Sequence, residues 1–181
     1  MRAHAYPFFA VEEPIAGVAA ARSGPRSTPD VAAGLSGPRS GHYDALAWLA
    51  RRLGCRIVLD ESVLRASQIV HLAGRADAWF INLRVSKMGG LLRALEVVEA
   101  ARRAGIRLVV GAQVGEPSLL TRAALTVAAT ARDLLVAQEG AFGTHLLERD
   151  VCDPPLMFGA GGVLDVADHP ALARPGLGLA L

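Results

Sequence analysis

Lysine is almost missing from this sequence. Of its 19 basic residues 18 are arginine, and Lys87 is the single lysine. With abundant alanine, glycine and leucine, this reads as the coding bias of a GC-rich genome, so the formal net charge of +2 says little about partners. Aromatic residues make up only 5%, and the arginines are scattered over helix-like segments. A nucleic-acid surface concentrates basic side chains on one face and interleaves aromatics, which excludes that partner here. Cysteine is equally scarce. Cys55 and Cys152 are too few for a disulfide scaffold and lack metal-type spacing, and they read as inert thiols of a reduced, cytoplasmic compartment. No apolar run reaches the roughly 18–20 residues of a membrane span. The start lacks the basic and then apolar pattern of a secretory signal. Charged residues are 20% against 52% apolar, which excludes a disordered chain.

What remains is a globular chain of 181 residues, long enough for one domain with a real core. Residues 6–15 (YPFFAVEEPI) read as a buried strand whose end carries two acids. Residues 16–42 are rich in Ala, Gly, Ser, Pro and Arg and contain SGPRS twice, so they read as an inserted flexible loop. Regular text follows. Residues 43–53 place Leu46, Leu49 and Leu53 on one helical face, with Gly54 as the stop. Residues 56–60 (RIVLD) predict a strand. Ser62 is placed to cap a helix over 63–72. Strands are predicted at 78–84, 106–111 and 134–138, a Gly-rich turn at 86–90, and helices at 91–104 and from Pro117 to about residue 131.

The strand ends fall at Asp60, Arg84, about Ala112 and Gln138, which gives spacings of 24, 28 and 26 residues. Apolar strands alternating with helices at this period predict βα units and a parallel sheet. A barrel and an open doubly wound sheet share the period, but the GxGxxG fingerprint of dinucleotide binding is missing. Strand after strand ends in ionisable or amide groups: Glu12 and Glu13, Asp60 and Glu61, Asn82 with Arg84, Gln113 with Glu116, and Gln138 with Glu139. In a barrel these ends converge on one mouth, where active sites lie. Carboxylates there supply hard oxygen ligands of the kind Mg²⁺ takes. For any single pair, the plain alternative is a solvated acid or a helix cap.

Four blocks then carry a resemblance: VEEPI at 11–15, IVLDES at 57–62, INLRVSKMGG at 81–90 and VVGAQVGE at 109–116. With PLMFGAGG and PGLGL near the C-terminus, and in this order, they resemble the C-terminal part of the enolase superfamily, in its mandelate racemase and muconate-lactonizing branch. The resemblance implies an α/β fold, a partial TIM-type (β/α)7β barrel holding about strands four to eight, without the N-terminal capping domain. Residues 1–165 would form the partial barrel, and residues 166–181 a tail that packs on the capping domain. It also implies Mg²⁺, a small carboxylate substrate, and abstraction of the proton α to the carboxylate, with the metal stabilising the enediolate. The reaction would be racemisation, epimerisation, cycloisomerisation or dehydration. Glu12 and Asp60 match the metal ligands of the fourth and fifth strands, with Glu13 and Glu61 beside them.

Departures from the family pattern matter as much. The strand bearing the third ligand and the lysine-bearing second strand have no counterpart here. The sixth-strand lysine that serves as acid/base is Arg84 in this sequence, with Lys87 three residues on. Arginine stays protonated and is a poor base, so Arg84 is cast as a cation facing the substrate carboxylate, or as an ion-pair partner of Asp60 or Glu116. Lys87 is an acid/base candidate or closes the turn before Gly89. Glu116 orients a catalytic neighbour, accepts from substrate, or caps the helix at Pro117. Asn82, Gln113 and His145 complete the candidates, His145 because it follows a strand end. His42 and His169 read as loop residues. Two other readings stand beside the enzyme. One is a truncated, inactive half-barrel that needs a partner or associates, as a homo-oligomer or an aggregate, through the unpaired edge of the first strand. The other is an open metabolite-binding module with an anion site at Gly89–Gly90.

Overall fold

The computed structural model describes residues 9–12, 40–140, 143–167 and 169–179. Glu13, the inserted loop as far as residue 39 and all but residues 9–12 of the first predicted strand lie outside these residues, and of that strand Ala10–Glu12 is extended. Five strands alternate with helices: β1 (Ala10–Glu12), α1 (Ser40–Leu53), β2 (Arg56–Leu59), β3 (Trp79–Leu83), α2 (Val85–Met88), α3 (Leu91–Ala104), β4 (Arg107–Val110), α4 (Ser118–Thr130), β5 (Leu135–Gln138), α5 (Gly143–Leu146) and α6 (Pro170–Ala173). The strands lie in sequence order in one sheet, and β1–β2, β2–β3 and β4–β5 pair in parallel. Parallel neighbours joined through helices are what the βα period predicted.

The chain divides into two compact units, the first made of Met1–Asn82 with Glu99–Arg107, the second of Leu83–Val98 with Leu108–Leu181. In the first, α1 begins at Ser40, so His42 is a helical, buried residue and not part of a loop. The buried stripe of α1 is Tyr43, Leu46, Ala47 and Ala50, at the i, i+3, i+4, i+7 spacing of a core-facing helix, while Leu49 lies only half-buried. Along β2 the fully buried residues are Ile57 and Leu59, and Arg56 and Val58 on the opposite face are half-buried.

The helix predicted over 63–72 is instead a 3₁₀ turn, Ala66–Leu72, and Ser62 does not cap it. Gln68 does that work: its Oε1 accepts from Leu64 N (2.7 Å) and Arg65 N (2.9 Å). A side chain inside the turn thereby satisfies donors that an α-helical start would leave open.

In the second unit the predicted Gly-rich turn is one turn of helix, α2, ended by Gly89 in the left-handed region at φ 86°. Its N–H bonds to Ser86 O, and the N–H of Gly90 bonds to Val85 O at 3.0 Å. Both glycine N–H groups thus close α2, which removes them from the anion site imagined at Gly89–Gly90. α3, which begins in this unit and ends in the first, buries Ala94, Val97, Val98 and Ala101 and stops before Gly105, as its sequence period implied. Beyond β5 the chain is fastened through Asp150. Its Oδ2 accepts from Ser118 N and Ser118 Oγ, both at 2.9 Å, and its Oδ1 from Cys152 N. Ser118 Oγ also accepts from Leu156 N at 2.7 Å. His169 is the N-cap of α6, its Nδ1 accepting from Ala171 N, and not a plain loop residue.

Candidate active site

Within the first unit the sheet register lines up the acidic candidates. Glu12 on β1 lies opposite Val58 on β2, and Val58 opposite Phe80 on β3. Paired residues of parallel strands share a face, and every second residue returns to it. Asp60, two residues past Val58, and Asn82, two past Phe80, therefore continue the face that carries Glu12. Glu12 is exposed, whereas Asp60 and Asn82 are 3% and 2% exposed. Glu61 is exposed on the turn that follows Asp60. Two carboxylates and an amide oxygen on one face are hard donors, and Mg²⁺ takes one or two carboxylates and completes its shell with water or substrate oxygens. The donor chemistry fits that ion. Among the described residues no group of three or more His, Cys, Asp or Glu is placed to hold a metal.

The second unit carries the cations and Glu116. Arg84 leaves the end of β3, and its Nη1 donates to Gln113 Oε1 at 3.0 Å. Glu116, 7% exposed, accepts from Ser86 Oγ at 2.6 Å. That bond crosses from α2 to the loop ahead of α4. Glu116 is not the cap of α4, whose first turn is served by the Asp150 carboxylate. Lys87 sits half-buried in the last turn of α2. His145 lies exposed on α5, away from the end of β5 by a full loop. α5 approaches Glu116 through Gly143: a Cβ there would stand 2.5 Å from Glu116 O and 2.7 Å from Met157 Cε. Only a glycine allows that backbone approach.

Ser86 and Asp150 were not candidates from the sequence. Each acts on a residue about 30 positions away, and no local spacing signals such a contact. Both thiols are free and buried. Burial, the charge of Asp150 and a hydrogen bond to it push the Cys152 thiol above its ordinary 9.0, so it stays a neutral thiol near pH 7.

Residues 38–181 match the sequence profile of the enolase C-terminal domain-like family. The chain belongs to this family. It is 35% identical over 114 residues to the o-succinylbenzoate synthase of Thermobifida fusca, a match covering 63% of this chain and 34% of that protein. It is 28% identical over 117 residues to the chloromuconate cycloisomerase of Cupriavidus pinatubonensis, covering 65% of this chain and 31% of the relative. The chain thus spans about a third of the length of these relatives. Among solved structures it is similar to a dipeptide epimerase from Enterococcus faecalis complexed with Mg and L-Leu-L-Tyr. That likeness has a TM-score of 0.64 at 22% identity and covers 80% of this chain and 39% of the other. Identity at that level speaks for the fold alone. The parallel βα repeat of the enolase C-terminal domain is part of a TIM-type barrel, and five of its strands are described here. No described helix is long and apolar enough to cross a membrane.

Proposed function

We propose that this chain carries part of the machinery of a cytoplasmic, Mg²⁺-dependent enolase-superfamily enzyme. That enzyme removes the proton α to a carboxylate in a small organic acid. The observation that carries this reading is the shared sheet face of Glu12 and Asp60 at the ends of adjacent parallel strands. When bound, Mg²⁺ supplies positive charge against a carboxylate that gains negative charge as its α-proton leaves. Glu12 and Asp60 would hold it, with Asn82 on the same face and Glu61 on the turn after Asp60.

In the second unit Arg84 keeps its charge at every working pH, so it binds and orients an anion and moves no proton. Its anchorage on Gln113 fixes the plane of the guanidinium. Lys87 Nζ is the one amine side chain of the sequence that can take or give a proton. Glu116, held by Ser86, orients the polar groups around it, and His145 on its exposed helix serves as a second polar contact for substrate. The class of reaction is isomerisation or elimination of the kind named for the relatives: cycloisomerisation, epimerisation or loss of water.

Calorimetric titration with Mg²⁺ tests the assignment. Binding is expected in the unaltered protein and at least tenfold weaker in Glu12→Gln and Asp60→Asn. Equal binding in all three overturns it.

A second reading rests on a different observation. Among the described residues β1 is an edge of the sheet order, and Phe9 next to it is 72% exposed. Such an edge with an exposed aromatic favours association of copies through that strand. Sedimentation at increasing concentration separates the two readings, a persistent monomer excluding the homo-oligomer.

A further inference from the structure

The turn that follows Asp60 is gripped from three sides within the first unit. His42 Nε2 and Ser62 Oγ share a hydrogen bond at 3.2 Å, with both residues buried. Tyr43 OH donates to Ser62 O at 2.8 Å, and Gln68 Nε2 donates to the same oxygen at 3.1 Å. One carbonyl thus takes two donors while its own side chain is bound by a third residue. Gln68 closes the far side through Leu64 N and Arg65 N. Tyr43 is itself immobilised by rings. His71 stacks on it at 6.3 Å and 15°, while His42 (5.9 Å) and Trp79 (6.4 Å) meet it edge-on. A hydroxyl on a ring packed against three others reaches its acceptor without losing rotamer freedom at that moment.

A turn of this kind has no intrinsic reason for such anchorage. Ser62 could have ended in solvent, and stability alone would be served by an apolar residue in its place, since buried hydroxyls contribute little net free energy. What the grip does is set the backbone two residues from Asp60. Resting on the reading of Asp60 as a metal ligand, we propose that His42 and Tyr43, in the first turn of α1, are positioning residues for the Asp60 carboxylate. α1 reaches from its own first turn to the end of β2, so its seating against the sheet decides where the ligand stands. Metal sites lose affinity when such outer supports are removed, because the ligand then samples orientations that miss the ion.

The test compares Mg²⁺ affinity by calorimetry with amide hydrogen exchange of the 60–64 turn in the absence of metal. The variants are His42→Leu, His42→Gln, Tyr43→Phe and Asp60→Asn. His42→Leu is expected to weaken Mg²⁺ about tenfold, the low end for outer supports of metal ligands, and to speed exchange in the turn. His42→Gln, whose amide can again reach Ser62 Oγ, is expected to restore most of the affinity. Tyr43→Phe removes one hydroxyl and leaves the ring cluster, so it reports even where His42→Leu fails to fold. Faster exchange or a lower melting temperature with unchanged Mg²⁺ affinity in His42→Leu and Tyr43→Phe overturns the positioning role, provided Asp60→Asn abolishes binding. Unchanged affinity in Asp60→Asn overturns the ligand reading itself, and the positioning role falls with it whatever the exchange rates show.

Discussion

Ser86 Oγ donates to Glu116 Oε1 at 2.6 Å. The bond joins α2 to the loop ahead of α4 and holds the side chain of the buried Glu116 within the second unit. A short hydroxyl-to-carboxylate bond is charge-assisted, and its loss strands a buried acceptor. Ser86→Ala is therefore expected to lower stability by about 1–3 kcal/mol, read as a shift of the urea midpoint. The Ser86→Ala, Glu116→Gln double-mutant cycle should show coupling above about 0.5 kcal/mol. Additive effects would mean the two side chains act independently.

Asp150 accepts from two segments, through Ser118 N, Ser118 Oγ and Cys152 N. It supplies from far along the chain the acceptor that an N-cap residue supplies locally, and its charge favours the positive end of α4. Asp150→Ala is expected to cost about 2 kcal/mol by chemical denaturation, with Asp150→Asn recovering part of that. A proteolysis assay should show the segment after α5 cut faster in the alanine variant. An unchanged cleavage pattern would contradict the fastening role.

Cys152 gives the chain a pH dependence at the alkaline end. Its thiol is raised above the ordinary 9.0 by burial first and then by Asp150. The folded chain therefore keeps this proton where the unfolded chain releases it. That contribution to stability is fully present below about pH 9 and is lost as pH rises through the raised value. Stability between pH 8 and pH 10.5 should fall more steeply in the native sequence than in Cys152→Ser. Equal slopes would show that another group carries the alkaline loss.

Much of the fold was legible where a single physical rule acted alone. α3 was bounded correctly because an apolar period of 3.6 coincides with a stop at Gly105. The strands were legible as apolar runs at a regular period: β2 to β5 lie within a residue of their expected limits, while β1 is described only over Ala10–Glu12 of the expected 6–15. The 63–72 segment departs from the expected α-helix because its decisive feature is a side chain, Gln68, folding back on the backbone of Leu64 and Arg65. His42 departs from the expected loop for a related reason. Its helix starts three residues before the first apolar position, in Gly- and Ser-rich text, and tertiary burial against Ser62 keeps it helical.

The candidate site divides in the same way. Glu12, Asp60, Asn82, Arg84 and Glu116 stand out in one dimension because strand ends recur at a fixed period. Ser86, Asp150, His42 and Tyr43 do not, because a hydrogen bond over 19 to 32 positions leaves no mark on local spacing.

By itself the sequence determined the strands, the helices α1, α3 and α4, the parallel βα order and the acidic strand ends. Those follow from periodicity, from glycine and proline chemistry, and from the rule that apolar strands between helices pair in parallel. Only the tertiary structure decided which groups hold them. Serine 86 orients Glu116, Asp150 replaces the expected cap of α4, and the first turn of α1 grips the backbone beside Asp60. These are choices among many chemically equal hydroxyls and carboxylates, and only packing in three dimensions, by desolvating some and leaving others in water, makes them unequal.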